Sequence, residues 1–500
     1  MKYRMAMLVV VALFCWSAVR PLYAQSNSFT VLYNFTAISS RSPTYINSDG
    51  VDPVGVVLSD NTLYGTTGMG GSNGEGTVFR VNIDGSSFTN LHTFTLSSFS
   101  SISWPEPYTN SDGFDPQGGV IVSGNTLYGT ATGGGSNGDG TVFRVNTDGS
   151  DFTNLYSFTA LYLAFEGSTN SDGALPSAGL ILLGNTLYGT TGNGGSGGAG
   201  TVFRVNTDGS DFTSMNSFTG DNTGDVIVLP SGGLLLSGDT LFGTTPGAGN
   251  SDFYGTVFRV NTNGSDFTNL YSFTNGIDGS DPSSALVLSG NTLYGTAEDG
   301  GGAGNGTVFS INTDGSGFTI LHSFSAASGY YHQYSLNIDG AGPRGLILSG
   351  NTLYGAANGG GSGGFGTLFR MNTDGSAFTL LYSFTALAWG TYTNSDGAGP
   401  GGLVLSGNTL YGAAAGGGSG GTGTIFALTL PVPSLGIAQA VNQVVISWPA
   451  WAANYALQTA PDLSSGSWSN LTSGIITDGT NYLFTNTPAS QTAFFRLQQQ

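Results

Sequence analysis

The sequence predicts an all-β protein: a seven-bladed β-propeller closed by its own N-terminal strand, followed by a small β-sandwich. Three observations support this prediction. Among 500 residues, 83 are glycine and only 8% are charged, which is typical of turn-rich β proteins. A motif close to Asn-Thr-Leu-Tyr-Gly occurs seven times. Finally, the repeats lack one strand at their C-terminal end and have one extra strand at their N-terminal end.

Residues 1–24 have the features of a secretory signal peptide. Lys2 and Arg4 precede an apolar stretch from Met5 to Val19, and Leu22-Tyr23-Ala24, which ends in a small residue before Gln25, offers a cleavage site. We therefore expect a secreted or cell-surface protein. No other segment approaches the about 20 apolar residues of a membrane-spanning helix, so we predict no membrane insertion of the mature chain. The only cysteine, Cys15, leaves with the signal peptide.

The mature chain is strongly acidic. Cleavage removes three of the 11 basic residues, which leaves eight arginines against 30 acidic residues and a net charge of −22. Such a surface repels nucleic acids and anionic membranes, so we predict no nucleic-acid partner. No lysine remains, which excludes Walker-type phosphate loops and Schiff-base chemistry. We expect the mature protein to be a monomer.

Residues 25–430 contain the repeats. The leucine of the motif recurs at intervals of 52 to 64 residues, close to the length of a propeller blade. The second copy shows four strand-like runs, at 119–123, 126–130, 141–146 and 152–158. Asp148-Gly149 supplies the positive φ that a tight hairpin requires between the last two runs. Each copy is therefore predicted to be a four-stranded meander whose apolar first strand is buried on both faces.

The phase of the repeats predicts closure of a ring. The fourth-strand motif already appears at 29–35, before any first strand, and the last copy ends after its third strand at 424–428. We therefore predict that the N-terminal strand completes the last blade, because closure removes both exposed sheet edges.

The runs Gly140–Val145 (Gly-Thr-Val-Phe-Arg-Val) and Asn125–Thr130 (Asn-Thr-Leu-Tyr-Gly-Thr) resemble the GloVer (Gloeo/Verruco) tandem repeat of bacterial exported proteins. The resemblance covers roughly Phe29 to Leu428. It implies an exported repeat protein and carries no activity or catalytic residue with it.

Residues 431–500 form a second predicted domain. The glycine-rich composition ends after Pro433. Short runs in which apolar and polar residues alternate follow, including Val444–Pro449. The spacing is similar to fibronectin type III-like modules, with Trp448 as the predicted core residue.

The connections between blades vary most in length, from 9 residues (Phe273 to Pro282) to 22 (Phe94 to Pro116). Variable loops on a rigid scaffold are typical of binding surfaces. Aromatic side chains in these loops either pack down as lids or contact a glycan or peptide ligand. The candidate ligand-binding residues are Trp104, Tyr108, Tyr162, Phe165, Tyr330, Tyr331, Tyr334, Trp389 and Tyr392.

A metal site and a nucleotide site are alternatives to this interpretation. Calcium requires oxygen ligands on tight loops, and three aspartate pairs supply them: Asp49/Asp52, Asp112/Asp115 and Asp278/Asp281. However, the sequence Asn-Ser-Asp-Gly also forms a favourable turn without a metal. None of the three pairs has the full spacing of a calcium-binding loop. The pattern at Gly133, Gly135 and Gly138 matches a dinucleotide motif but has strands on both sides. We assign neither a metal nor a cofactor.

Few residues are suited to catalysis, and we assign no catalytic residue. His92 and His322 occupy the position of Tyr156 and Tyr271, which indicates a structural role, and only His332 lies in a loop. Glu106 and Glu166 lie in adjacent variable loops, where a glycoside-hydrolysing carboxylate pair is conceivable.

One third-strand position carries a repeated arginine, which predicts a structural pairing between blades with carboxylates or carbonyls. The position is occupied by Arg80, Arg144, Arg204, Arg259 and Arg370, and by Ser310 and Ala427 in the other two copies.

The leading functional hypothesis is an exported, non-enzymatic binding or surface-structural protein with an extracellular polysaccharide or surface protein as partner. The alternatives are a polysaccharide-acting hydrolase or lyase, and a passive adhesion or spacer module attached through residues 431–500.

Overall fold

The structure is a computed structural model of the full chain. It describes residues 27–39, 45–99, 108–164, 167–219, 230, 232–247, 254–274, 276–328, 336–440, 443–449, 452, 455–461, 468–478, 481–486 and 493–499. All regular secondary structure in these residues is β-strand, which confirms the all-β class. The predicted signal peptide lies outside the described residues.

Seven four-stranded antiparallel sheets, numbered 1 to 7 in chain order, form the repeat region. Strand β1, Ser28–Asn34, precedes them. The first three sheets contain, in sheet 1, β2 Val51–Ser59, β3 Thr62–Met69, β4 Thr77–Asn82 and β5 Thr89–Thr93; in sheet 2, β8 Val120–Ser123, β9 Thr126–Ala131, β10 Thr141–Asn146 and β11 Thr153–Ser157; and in sheet 3, β14 Ile181–Leu183, β15 Thr186–Thr191, β16 Gly198–Asn206 and β17 Thr213–Thr219. The next two contain, in sheet 4, β18 Leu235–Ser237, β19 Thr240–Thr245, β20 Thr256–Asn261 and β21 Thr268–Ser272; and in sheet 5, β22 Val287–Ser289, β23 Thr292–Ala297, β24 Thr307–Asn312 and β25 Thr319–Ser323. The last two contain, in sheet 6, β26 Ala341–Ser349, β27 Thr352–Gly359, β28 Thr367–Asn372 and β29 Thr379–Ser383; and in sheet 7, β30 Ala398–Ser406, β31 Thr409–Gly416 and β32 Thr424–Thr429 together with β1.

The N-terminal strand is the fourth strand of sheet 7, as the phase of the repeats predicts. Strand β1 lies beside β32 in the order β1-β32-β31-β30. The Phe35 amide donates to the Gly423 carbonyl (3.1 Å), and the Thr422 hydroxyl donates to the Phe35 carbonyl (3.0 Å). The two ends of the repeat region are therefore joined by a sheet ladder.

The same edge-to-face phenylalanine pair recurs at every boundary between one sheet and the next, among other aromatic contacts. The first ring follows or ends the fourth strand of one sheet, and the second lies in the third strand of the next, with centroids 5.3 to 5.5 Å apart. The pairs are Phe94–Phe143, Phe158–Phe203, Phe218–Phe258, Phe273–Phe309, Phe324–Phe369, Phe384–Phe426 and Phe35–Phe79. The last pair joins sheet 7 to sheet 1.

These phenylalanines explain the glycine of the repeated motif. A Cβ atom on Gly129 would lie 2.6 Å from Cζ of Phe143, closer than any real contact. The ring therefore occupies the space of a side chain in the second strand, and only glycine leaves that space open.

The repeated arginine connects neighbouring sheets. Arg80 Nη1 donates to the Thr147 carbonyl (3.3 Å) in the third-to-fourth turn of sheet 2. Hydrogen bonds from Ser150 lower the pKa of Asp148 in the same turn, and the Arg80 charge adds to this effect. The predicted pairing between blades through a carbonyl is confirmed for this arginine.

The first strands are less buried than the sequence predicts. Leu403, Val404 and Leu405 are half-buried, as are Val57 and Leu58 in sheet 1. For Val57 and Leu403 the physical reason is that both side chains line a cavity and therefore do not pack fully against neighbouring sheets.

Three connections carry pairing that the sequence did not predict. Strands β6 (Ser98–Phe99) and β7 (Tyr108–Thr109) pair between sheets 1 and 2, and β12 (Tyr162–Ala164) and β13 (Gly167–Thr169) pair between sheets 2 and 3. A single bridge joins Ser328 and Leu336 before sheet 6.

By its internal contacts the chain divides into two compact units. The repeat unit comprises Phe29–Leu348 and Leu353–Leu428, and the described residues of Thr429–Gln500 belong to the other unit, with Ser349–Thr352. The described part of the chain has no helix that meets the length and hydropathy needed to cross a membrane.

Residues 429–500 contain two further sheets. Trp448 is buried with Ile446, Ala452 and Leu457, so it is a core residue as predicted. One sheet has the order β33-β34-β38-β37 and the other β36-β35-β39. Their strands are β33 Gly436–Ala440, β34 Gln443–Pro449, β35 Tyr455–Ala460, β36 Ser469–Asn470, β37 Ile475–Thr477, β38 Asn481–Asn486 and β39 Phe494–Gln499.

Candidate functional site

The variable connections share one edge of the sheets, here called the loop edge. In sheet 1, Val51 at the start of the first strand pairs with Met69 at the end of the second, and Thr77 at the start of the third pairs with Thr93 at the end of the fourth. The connection to the next sheet and the second-to-third loop therefore leave from the same edge, as predicted.

Among the described residues, an aspartate near six of the seven first strands ties the preceding fourth strand to the loop edge. Asp112 accepts hydrogen bonds from His92 Nε2 (2.8 Å), from the Thr95 amide (3.0 Å) and from the Thr95 hydroxyl. We call this arrangement the aspartate latch. The donor and aspartate pairs are Tyr33–Asp49, His92–Asp112, Tyr156–Asp172, Tyr271–Asp278, His322–Asp339 and Tyr382–Asp396.

The latch accounts for the two histidines and for one member of each aspartate pair. His92 and His322 replace tyrosine as hydrogen-bond donors, which confirms their structural role. The second member of a pair, such as Asp115, instead has Gln117 as its hydrogen-bond partner. Among the described residues, no group of three or more His, Cys, Asp or Glu side chains is arranged to hold a metal ion. The glycine pattern at 133–138 lies between strands β9 and β10, as expected for a loop.

The second aspartates occupy an unusual backbone position. Asp52, Asp115 and Asp281 each precede a proline and have φ between 56° and 61°. This left-handed conformation disfavours most residues, and aspartate tolerates it better than most. Glycine takes the same place at Gly342 and Gly399, and Leu175 adopts it in sheet 3 (φ 56°).

A cavity of about 690 Å³ is lined by residues of the first strands, or by residues that shortly precede them, in six sheets. The residue after the shared proline contributes to the lining in each of the six. These residues are Val54, Gln117, Ser177, Ser283, Arg344 and Gly401. In the fourth repeat this residue, 231, lies outside the described residues.

An ion pair lies on the wall of this cavity. Arg344 Nε and Nη2 contact Glu298 Oε1 and Oε2 at 2.9 and 3.0 Å, a two-pronged geometry. Ser283 donates a further hydrogen bond to Glu298 Oε1. The pair joins the second-to-third loop of sheet 5 to the first strand of sheet 6.

Three carboxyl groups near the cavity have raised pKa values. Burial, with the charges of Glu298 and Asp299, raises the pKa of Asp281 to about 6, and Arg344 opposes the rise. Burial and the charge of Asp115 raise the pKa of Asp52, whereas the charge of Arg344 and a hydrogen bond from Gln117 partly offset this rise. Burial also raises the pKa of Asp115, with Glu75 adding to the effect and Gln117 opposing it. Negative charge therefore outweighs positive charge at this end of the cavity.

Few of the predicted aromatic ligand-binding residues can be located with their side chains. Trp389 is fully exposed, and Tyr392 and Tyr108 are about half exposed. Tyr108 lies in β7 with its ring edge-to-face on Phe114 (6.5 Å). Tyr162 lies in β12. Trp104, Phe165, Tyr330, Tyr331 and Tyr334 are outside the described residues, as are His332, Glu106 and Glu166.

The loop that carries Trp389 is held by its own hydrogen bonds. The Ala388 amide donates to the Thr393 carbonyl (2.7 Å), and the Tyr392 amide donates to the Ala388 carbonyl (3.0 Å). Because these bonds close a turn around residue 389, the indole is displayed to solvent instead of covering the sheet below it.

Comparison with known proteins identifies the repeat. Residues 159–343 match the Gloeobacter/Verrucomicrobia repeat. The repeat thus matches over part of the region from Phe29 to Leu428 in which the motif recurs. No curated protein matches the chain.

Several solved structures are similar over most of the chain. A designed protein, Ika8, is 12% identical, with 76% of this chain and 98% of that chain covered and a TM-score of 0.41. An oligogalacturonate lyase in complex with manganese is 10% identical, covering 81% and 97%, with a TM-score of 0.44. TolB from Acinetobacter baumannii is 13% identical, covering 62% and 60%, with a TM-score of 0.33.

The sequence analysis missed the cavity residues Arg344, Glu298 and Gln117. One signal was available: the residue after the shared proline differs among repeats that are otherwise regular. A residue with a structural role would be expected in every copy of the repeat. An arginine that occurs at this position in only one copy indicates a role specific to that copy.

Proposed function

We propose that the mature chain is an exported seven-bladed β-propeller that binds a neutral extracellular polysaccharide without transforming it. The seven phenylalanine contacts, of which the last joins sheet 7 to sheet 1, support a closed ring of seven blades. The extra strand β1 in sheet 7 supports closure by the N-terminal strand.

The proposal includes the rest of the chain. Residues 1–24 act as a signal peptide, and residues 25–430 form the propeller, which is secreted or kept at the cell surface. Residues 431–500 form a fibronectin type III-like sandwich, which the two sheets around Trp448 support.

The observation that carries the binding role is the display of Trp389. A fully exposed indole on a hydrogen-bonded turn leaves a large apolar surface in water, which is costly unless a partner covers it. Flat aromatic faces stack well on the apolar faces of sugar rings. The net charge of −22 after cleavage disfavours polyanions, so the favoured partner is a neutral polysaccharide.

The test compares Trp389→Ala with Leu183→Ala in the mature protein. Leu183 is another exposed apolar residue, at the opposite edge of sheet 3. Binding to a panel of neutral polysaccharides is measured by affinity electrophoresis and pull-down. We expect Trp389→Ala to weaken binding at least tenfold and Leu183→Ala to leave it unchanged, with neither altering the melting temperature by more than about 2 °C.

Two results would contradict the proposal: no binding by the wild-type protein to any polysaccharide of the panel, or binding that survives the loss of both Trp389 and Tyr392. Turnover of a polysaccharide in the same assay would support the hydrolase or lyase alternative instead. Release of the protein from cells after deletion of residues 432–500, without any glycan binding, would support a passive spacer.

A further inference from the structure

The residues after the shared proline form one set around the cavity. All six described members line it, and five of them, all except Gly401, contribute a side chain. The set is nonetheless chemically uneven, since it includes an arginine and a glutamine beside valine, serine and glycine. The repeated backbone builds the cavity, and the uneven side chains give it a distinct polar end.

Glycines leave the interior of the cavity open. Gly119 and Gly345 line it, and a Cβ atom built on either would meet nothing within 4 Å. Valine and leucine side chains of the first strands, such as Val57, Val120 and Leu346, form much of the remaining wall. An apolar wall with a few polar groups gathered in one place is typical of small-molecule sites.

The polar end offers both hydrogen-bond donors and acceptors. Arg344 uses Nε and one N–H of Nη2 on Glu298, so three of its five N–H groups have no further partner in the described part of the chain. Its side chain is about half exposed. Gln117, Asp52 and Ser284 add an amide, a carboxylate and a hydroxyl to the same lining.

We propose that this cavity binds one small neutral polyhydroxyl compound of hexose size, held at its polar end by Arg344, Glu298 and Gln117. Sugar hydroxyls donate and accept, which matches the mixed set of groups. The volume of about 690 Å³ lies within the range of pockets that enclose such molecules.

The charge distribution selects against anionic sugars. The charge of Arg344 acts on the carboxylates of Asp52 and Asp281, and two of its N–H groups already contact Glu298. A uronic acid or sugar phosphate would meet uncompensated carboxylates and lose affinity. The site is therefore specific for uncharged polyols.

The experiment uses the full mature protein and isothermal titration with glucose, galactose, mannose and myo-inositol, with glucuronic acid and glucose 1-phosphate as anionic counterparts. We expect at least one neutral compound to bind with a dissociation constant below 1 mM and both anions to bind at least tenfold more weakly. Arg344→Ala and Glu298→Gln should each weaken binding of the neutral compound at least tenfold.

A second kind of variant narrows the cavity without removing a polar group. Gly401 should tolerate a valine, because its φ is not positive and an added Cβ would make only an ordinary contact, 3.5 Å from the Val54 carbonyl oxygen. Valine also occurs naturally at the matching position of sheet 1, as Val54. Gly401→Val should therefore fold and abolish binding. Arg496→Ala, an exposed arginine in residues 429–500, is the matched control and should bind normally.

The proposal does not depend on polysaccharide binding at Trp389. Trp389→Ala should leave hexose binding unchanged, and Gly401→Val should leave polysaccharide binding unchanged, so the two sites can fail separately. Absence of binding by all four neutral compounds at 10 mM would overturn the cavity proposal. Binding that survives both Arg344→Ala and Gly401→Val, or equal binding of the anionic compounds, would overturn it as well.

Discussion

The Asp281 carboxyl group shows how burial beside other carboxyl groups affects a single residue. It is held in the left-handed conformation before Pro282, where burial and the charges of Glu298 and Asp299 raise its pKa to about 6. Because the folded-state pKa exceeds the unfolded value of about 3.9, the folded protein binds this proton more tightly. The associated stability is complete below about pH 4 and is lost as the pH rises through about 6.

Asp281→Asn should remove this pH dependence. Asparagine also tolerates the left-handed conformation and cannot ionise. We expect the variant to gain about 3 kcal/mol over the wild type at pH 8 and little at pH 4, as measured by denaturant unfolding at both pH values. Asp314→Asn is the control, because hydrogen bonds from Ser316 lower the pKa of Asp314 and no gain at pH 8 is expected there. An equal gain in the free energy of unfolding of Asp281→Asn at both pH values would contradict the raised pKa of Asp281.

At the scale of elements, the aspartate latch connects a fourth strand to the start of the following sheet. His92 stacks on Phe152 with centroids 3.6 Å apart and bonds Asp112, whereas Tyr156 stacks on Phe212 at 3.8 Å and bonds Asp172. Tyrosine and histidine thus make the same two contacts, a ring stack on a phenylalanine and a hydrogen bond to the aspartate. Burial alone would raise the pKa of Asp112, but hydrogen bonds from His92 and Thr95 outweigh it and lower the pKa.

This equivalence predicts unequal effects for two substitutions in one latch. His92→Tyr should change the free energy of unfolding by less than about 1 kcal/mol, because four other copies use tyrosine. Asp112→Ala should cost about 2–4 kcal/mol at pH 7, since it leaves several donors unpaired. Because the pKa of Asp112 is lowered, its contribution is present above about pH 4 and is lost on further acidification. Similar losses for the two variants at pH 7 would contradict the latch.

At the scale of the whole molecule, the contact between sheets 7 and 1 repeats the contact between every other pair of neighbouring sheets. Phe35 meets Phe79 at 5.5 Å, and Phe158 meets Phe203 at 5.3 Å, although the first contact joins the two ends of the repeat region. Both Phe35 and Phe158 are buried. The N-terminal strand therefore packs as an internal strand does.

Phe35→Ala and Phe158→Ala should consequently be about equally destabilising, by roughly 3–5 kcal/mol each, because each opens a similar cavity between sheets. Calorimetric unfolding of the two variants measures the comparison, and Leu96→Ala, at an exposed residue near the loop edge, is the control. A loss for Phe35→Ala below about 1 kcal/mol would show that the N-terminal strand frays from sheet 7 and does not hold the ring closed.

Much of the fold could be predicted from the sequence, because the signals are local or repeated. The Asp148-Gly149 hairpin and the four strand-like runs of each copy depend on neighbouring residues, and seven copies make their phase unambiguous. The role of β1 follows from counting strands. The exposure of Trp389 could not be predicted, because it depends on whether the loop folds onto the sheet or closes on itself.

By itself, the sequence determined the all-β class, the four-stranded unit, the place of the N-terminal strand and the structural roles of the two histidines. Only the tertiary structure decided that Glu298 and Arg344, 46 residues apart, form an ion pair beside a cavity. It also decided that the first strands face that cavity and are only half-buried. The physical reason is that strand pairing follows local chemistry, whereas a contact between different sheets depends on how those sheets are arranged in space.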